Sequence, residues 1–366
     1  MANTYAYIHL KNLSHNLARI NAIAQGRKIL PAVKANAYGH GAVEIAKHLE
    51  KQGISSLAVA TLEEAMELRE SGLKSDIVIL GLMCPSDAAV AVKNDFCLFC
   101  SDIGYIKMLE NSAKKIGQPA RINLEIDTGM GRTGCMPEEA FSIAEYIDKS
   151  PYLMMYGIST HFPVSELADD DFTASQIASF YKTVELIKKR GIDTGYLHLA
   201  NSGAIINYPD SLADMIRPGI SLYGYVPDTS LSNKVSLKPV MELLSKVIFI
   251  KRVKKGSTIS YGRRWQAPCD TLIATVGAGY ADGYCRLLSG KAKVRIKDRL
   301  YPVVGTICMD QFMIDLGPAS DVKLYDDVVL FGPSGPDAQD LAELIGTIPY
   351  EITCAVSSRV KRVYIN

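Results

Sequence analysis

From residue 28 to about 224 the chain repeats one unit: a short apolar run, then an amphipathic stretch whose apolar positions recur every three or four residues. The apolar runs are KILPAV (28–33), LAVA (57–60), DIVIL (76–80), CLFC (97–100), RINLEI (121–126), YLMMYGIS (152–159), YLHLA (196–200) and ISLYG (220–224). Helix-period stretches include AVEIAKHLEK (42–51), EEAMELRESG (63–72), PEEAFSIAEYID (137–148) and ASQIASFYKTVELIKKRG (174–191). A strand apolar on both faces needs cover on both, and a strand followed by a helix is set up to pair in parallel with the next. Eight such units predict an α/β fold, a (β/α)8 TIM-type barrel over residues 11–230.

The pattern then changes. LLSKVIFIKRV (243–253), DTLIATV (270–276), AKVRIK (292–297), RLYPVVG (299–305), QFMIDLG (311–317), DVVLFG (327–332) and RVKRVYI (359–365) read as strands separated by turn residues. One clear helix stands among them, at DAQDLAELIG (337–346), so residues 236–366 read as a mostly β C-terminal domain. The polar, breaker-rich DTSLSNKVSLKP (228–239) reads as the linker. The opening residues 1–10 contain TYAYIHL (4–10), which alternates like a strand and is expected to pair with the β domain.

A formal net charge of +1 over 366 residues offers no electrostatic footprint for nucleic acid or an anionic membrane. MANTYAYIHLKN lacks the basic and apolar regions of a signal peptide, and no apolar run approaches a membrane span, so a soluble cytoplasmic protein is expected. The eight cysteines are scattered, which argues against a disulfide framework. Cys97 and Cys100 have a C-x-x-C spacing, but no second pair stands at zinc-site distance; they read as buried thiols, and no metal is expected.

Lys34 ends the first barrel strand, on the rim where barrel active sites lie. A partly desolvated lysine there has a lowered pKa and an amine free to form a Schiff base; an ion-paired or snorkelling lysine is the alternative. Other strand ends place Arg132, His161, Asn201 and Ser202 on the same rim, and Arg217-Pro218-Gly219, in the loop before strand eight, is expected to join them. Backbone N–H groups near Ser202 and at Gly219-Ile220 suit a phosphate. Lysine and phosphate cradle together suggest pyridoxal phosphate (PLP). GMGRTG (129–134) fits G-x-G-x-x-G, but it follows a fifth strand rather than the first turn of a dinucleotide-binding unit.

The motifs AVKANAYGHG, DTGMGRTG, THF, HLANSG, IRPGISLYG, SYGRRW (260–265), GYADGY (279–284) and ICMDQ (307–311) occur in this order across nearly the whole chain. Together they resemble the alanine racemases, a family of fold-type III PLP enzymes. The resemblance implies that Lys34 carries PLP and that Tyr261 of the partner subunit is a second base, so that a head-to-tail homodimer shares its active sites. Lysine on one face of the amino acid and tyrosine on the other would remove and return the Cα proton. It further implies that Tyr38, His161, Asn201, Ser202, Arg217, Gly219, Ile220 and Tyr350 surround the cofactor, with Arg217 at the pyridine nitrogen; an arginine cannot accept a proton, which disfavours transamination. Arg132 and the Met309 backbone match the substrate-carboxylate site. His198, Tyr280, Arg286 and Asp310 match supporting positions, Tyr280 and Arg286 near the substrate entrance. The implied activity interconverts L- and D-alanine, with weak action on serine, and supplies D-alanine to peptidoglycan.

Two positions depart from the family pattern. Glu125 stands where many members carry a carbamylated lysine, and its carboxylate is expected to fork onto Arg132. Thr306 stands where some members have an entrance arginine. Two rivals remain: an amino acid decarboxylase of the same plan, which Arg132 and Arg217 oppose, and a non-catalytic PLP-binding protein, which the second domain opposes.

Overall fold

A computed structural model describes residues 4–168 and 170–366. The strands are β1 (Tyr5–His9), β2 (Lys28–Ile29), β3 (Ser56–Val59), β4 (Asp76–Ile79), β5 (Cys97–Cys100), β6 (Ala120–Glu125), β7 (Leu153–Ser159), β8 (Tyr196–His198) and β9 (Met215–Ile216) in the first part of the chain. β3 to β8 form a six-stranded sheet in sequence order, every pair parallel. The ring continues through β2, which pairs with β9, and through the parallel bridge Ala32↔Ala58. Backbone bonds from Asp214 N–H to Leu197 O (3.1 Å) and from Arg217 N–H to Ala200 O (2.9 Å) join β9 to the β8 side. Eight parallel strands therefore close on themselves.

Alternation along each strand fills both sides. Leu30, Ala58, Val78, Cys97, Phe99, Tyr156 and Met215 pack together in the barrel interior, while Leu57, Ile77, Ile79, Leu98 and Cys100 pack against the helices. Cys97 and Cys100 thus belong to opposite faces of β5, and both are free buried thiols. The helices include Ala42–Lys51, Leu62–Glu70, Pro137–Lys149 and Asp171–Lys188, and a further helix, Leu10–Ala24, precedes β2.

The eighth strand is corrected. It is Met215–Ile216, not ISLYG (220–224); residues Ile220–Tyr223 form a 3-10 turn. Pro218 has no N–H to give a ladder, and Gly219 takes φ −112°, ψ −102°, which breaks the extended path. Arg217 consequently follows the last strand instead of preceding it, and so joins the rim at a strand C-terminus.

The remaining strands are β10 (Met241–Val253), β11 (Thr258–Ile259), β12 (Trp265–Gln266), β13 (Thr271–Val276), β14 (Lys293–Ile296), β15 (Arg299–Val304), β16 (Phe312–Gly317), β17 (Asp327–Phe331) and β18 (Lys361–Ile365). Their order β10-β13-β16-β15-β14-β17 returns to β10, whose 13 residues are long enough to pair with β17 at one end and β13 at the other. β1 lies antiparallel to β10 and β18 parallel to β1, so the first described strand belongs to this sheet. Two helices stand among these strands where the sequence indicated one. Besides Ala338–Ile345 there is Pro349–Cys354, whose proline takes a first-turn position that needs no N–H. That second helix carries Tyr350.

Candidate active site

Lys34 opens an unusual turn. Ala35, Asn36 and Ala37 have φ of 52°, 53° and 54° with ψ near 50°, and Tyr38 has φ 53°. Left-handed backbone costs an ordinary residue roughly 1–2 kcal/mol, so neighbours must hold this turn. Glu64 does so with both oxygens: Oε1 accepts from Ala35 N–H at 2.6 Å and Oε2 from Ala60 N–H at 2.7 Å. Asn36 Oδ1 accepts from Ala42 N–H at 2.8 Å. Gly39, at φ 85°, passes so close to the Pro349–Cys354 helix that a Cβ would lie 2.2 Å from Thr353 O. Nothing in the sequence pointed to Glu64, because a glutamate in a helix's first turn is an ordinary residue. Glu64→Gln leaves a single acceptor oxygen for two N–H groups and is expected to destabilise the fold by about 1–3 kcal/mol. Urea unfolding checks this; a variant as stable as the parent removes Glu64 from the account of the turn.

The turn opens on a cavity of about 430 Å3. Lys34, Tyr38, His161, Asn201, Ser202, Arg217, Gly219, Ile220 and Tyr350 all line it, together with Glu166 and Cys354. At one end Ser202 Oγ accepts from Gly219 N–H at 2.9 Å. A Cβ on Gly219 would sit 2.6 Å from the Tyr38 hydroxyl, so only glycine leaves this space open. Tyr38 stacks on Tyr223 at 4.8 Å, and Tyr223 donates its hydroxyl to Ala32 O at 2.8 Å. Asn201 caps the next helix by accepting from Ala204 N–H at 3.1 Å.

Arg217 is buried and committed. Nη1 donates to His198 O (2.5 Å) and His198 Nδ1 (2.8 Å); Nη2 donates to Thr160 O (2.6 Å), Leu199 O (3.1 Å) and His161 Nδ1 (3.3 Å). An arginine only donates, so both imidazoles accept at Nδ1 and carry their proton on Nε2. His198 Nε2–H then donates to Asn123 Oδ1 at 2.6 Å, and Asn123 Nδ2 donates to Ser159 Oγ at 2.7 Å. Asn123 was the visible sign of this chain, a lone amide inside the apolar β6 run. Burial, followed by the Arg217 charge, pushes His161 down to about 3 and His198 well below the ordinary histidine range, so both rings are neutral. Burial also lowers Arg217 to about 10, where it remains cationic at neutral pH. Lys34 is lowered by burial first and by Arg132 next, while Glu64 opposes the shift. The site therefore holds a lysine whose proton is loosened, an arginine that cannot take a proton, and two neutral imidazoles.

A family model described as the alanine racemase N-terminal domain matches residues 8–227, and one described as its C-terminal domain matches residues 240–364. The chain belongs to the alanine racemase family. It is similar to the alanine racemase of Treponema denticola, 44% identical over 100% of this chain and 99% of that one. Among solved structures it is similar to alanine racemase from Clostridium difficile 630 (TM-score 0.95, 37% identity, 100% of this chain and 96% of that chain covered). It is also similar to alanine racemase from Bacillus anthracis with bound L-Ala-P (TM-score 0.93, 32% identity, 100% and 96% covered).

As a member of the alanine racemases, the chain places its other expected residues away from this cavity. Tyr261, Met309, Tyr280, Arg286 and Asp310 are exposed and do not line it. Met309 O accepts from Ala281 N–H at 3.0 Å, and Asp310 pairs with Arg359 at 2.9 Å, so the Met309 loop is held on both sides. Arg132 is also exposed, although its charge reaches Lys34 and His161. The expected Glu125–Arg132 fork is corrected: among the described residues no ion pair joins them, and Glu125 accepts from Thr133 Oγ1 at 2.8 Å instead. Glu125 is buried, which raises its pKa, and Thr133 is the partner that burial brings to it. Thr306 is likewise buried.

The histidines give a pH signature. His40 is fully buried beside Tyr223, and burial lowers it to about 4. The unfolded chain then holds more protons than the native one from about pH 6.5 down to about 4, so stability falls as pH falls through that window. One such histidine contributes a slope of up to about 1.4 kcal/mol per pH unit. His40→Asn is expected to lower that slope by one proton in urea unfolding compared at about pH 6 and about pH 5. An unchanged slope would show that His40 is protonated in the native state.

Proposed function

We propose that the chain interconverts L- and D-alanine with PLP held in the Lys34 cavity, using Lys34 and Tyr261 of the partner subunit as two bases. The observation that carries this is the convergence of a depressed lysine, an open Gly219–Ser202–Tyr38 cradle and a buried arginine on one cavity. These residues fit the group. Lys34 offers the amine for covalent attachment, the cradle offers N–H and hydroxyl donors for a phosphate, and Arg217 Nε makes no hydrogen bond among the described residues. PLP, once bound, supplies the electron-withdrawing ring that makes a Cα proton removable.

Lys34 Nζ, whose proton is held less tightly because of burial and Arg132, takes or returns the Cα proton on one face. The second face needs a second base, and burial pushes the cavity's own phenols, Tyr38 and Tyr350, upward, which makes them hard to ionise. Tyr261 is 73% exposed and has an unpartnered hydroxyl among the described residues, as expected of a side chain lent to a neighbour. This favours a head-to-tail homodimer. A neutral His161 with its proton on Nε2 can donate to the phenolate of Tyr261 of the partner subunit and so ease its ionisation. Arg217, a donor only, would hold the ring nitrogen of PLP without giving it an acidic partner, which would favour return of the proton to Cα. Arg132 and the Met309 backbone of the partner subunit suit the substrate carboxylate. Tyr350 narrows the space beyond Cβ, which favours alanine and leaves slow serine turnover. A cytoplasmic enzyme supplying D-alanine to peptidoglycan completes this reading.

Adding PLP to the purified protein should produce a band at about 420 nm, and the protein should then convert either alanine enantiomer to the mixture. A protein that stays colourless, or turns over neither enantiomer, overturns the proposal.

A further inference from the structure

Tyr261 has a free side chain on a fixed backbone. It sits in the loop of the β11–β12 hairpin, Ser260 to Arg264. Ser260, which precedes it, has φ 66° and ψ −177°, a region that residues other than glycine scarcely populate. Something must hold it there, and the contact is with the β15–β16 connection. Ser260 Oγ donates to Thr306 O at 2.5 Å, and Thr306 Oγ1 donates to Tyr261 O at 2.8 Å. Two adjacent residues of the hairpin are thus clasped by one residue, which contributes both its carbonyl and its hydroxyl.

The surroundings are built for this contact. Thr306 is 3% exposed, so its hydroxyl has no water to exchange for Tyr261 O. Gly305 has φ 70°, and a Cβ there would lie 2.7 Å from Ile259 O and 2.8 Å from the Ser260 Cβ. Only glycine lets the two segments approach closely enough for the clasp to close. Behind it, Ile259, Val304 and Trp265 share a small apolar cluster, and Arg263 Nε donates to Thr258 Oγ1 at 3.0 Å. None of these contacts touches the phenol.

From this geometry we infer that Ser260 and Thr306 are positioning residues: they fix the main chain of Tyr261 so that its phenol is presented in one orientation to the neighbouring subunit. The inference rests on the reading of Tyr261 as the second base. With the backbone locked, only the two side-chain torsions of Tyr261 remain to place the phenolic oxygen. Releasing the clasp spreads that oxygen over a wider volume, and proton transfer is lost steeply with misplacement of about 1 Å. Thr306 therefore acts through the hairpin rather than at the substrate entrance.

The test uses the PLP-loaded full-length enzyme and the variants Thr306→Val, Thr306→Ser, Ser260→Gly and Tyr261→Phe. Thr306→Val should lower kcat about tenfold or more with KM within about twofold. Thr306→Ser, which keeps the hydroxyl, should restore most of it. Ser260→Gly keeps the φ and loses Oγ, so it should lower kcat without lowering stability, and it reads the same clasp if Thr306→Val fails to fold. In deuterated water, Thr306→Val should still exchange the Cα proton of one enantiomer without inversion, through Lys34, while inversion falls. Parental kcat in both Thr306→Val and Ser260→Gly, or equal loss of exchange and inversion, overturns the positioning role. If Tyr261→Phe is fully active, the two-base reading fails; if Tyr261→Phe is impaired and the clasp variants are not, only the positioning role fails.

Discussion

Lys34→Ala is expected to lose the band at about 420 nm and at least about 10⁴-fold of its racemisation rate in both directions. Two losses combine. On the proposed function, the variant lacks both the amine that would anchor the cofactor and the base for one face of Cα. Lys34 is lowered by burial and by Arg132, with Arg217 adding to the effect, and no ion pair joins it to Glu64 among the described residues; Glu64 instead accepts from Ala35 and Ala60 N–H groups. The alternative of a lysine merely paired at the rim requires such a partner, and would leave most of the rate in Lys34→Ala. Spectrum and rate should fall together; a colourless variant with the parental rate would refute the role of Lys34.

Tyr261→Phe is expected to lose about 10²–10⁴-fold in kcat while the absorbance of bound PLP is unchanged. The separation of the two readouts follows from position. Tyr261 does not line the cavity of its own chain, so removing its hydroxyl leaves Lys34 and the Gly219–Ser202–Tyr38 cradle as they were. Exchange of the Cα proton without inversion should persist for one enantiomer, because one face keeps its base. A variant that loses the cofactor band would instead make Tyr261 a residue of the fold.

Much of the architecture was legible because long-range order repeats a local signal. β5 is read to the residue since CLFC is apolar on both faces, and helix Ala42–Lys51 since its stripe is clean. The eighth strand was missed for a physical reason: β9 is only two residues, too short to show a period, whereas ISLYG is apolar but follows Pro218-Gly219. The rim position of Lys34 was legible from the strand before it. The left-handed turn after it was not, because Ala35, Ala37 and Tyr38 have no propensity for positive φ; Glu64 holds the turn from outside and Asn36 Oδ1 closes it from within. The Glu125 expectation failed because carboxylate and guanidinium were matched by charge alone, while burial gave Glu125 a hydroxyl partner in Thr133. The role of Thr306 was invisible for a similar reason: its partners lie 45 and 46 residues away along the chain.

Shared active sites are tested most directly by mixing. Lys34→Ala and Tyr261→Phe homodimers should each be nearly inactive. If the subunits reassort at random, about half the dimers carry one of each, and in every mixed dimer one of two sites has both bases. Dissociating and reassociating an equal mixture should therefore restore about a quarter of the parental activity. A mixture as inactive as its components, with mixed dimers shown to have formed, would place both bases in one chain and contradict a phenol lent across the interface.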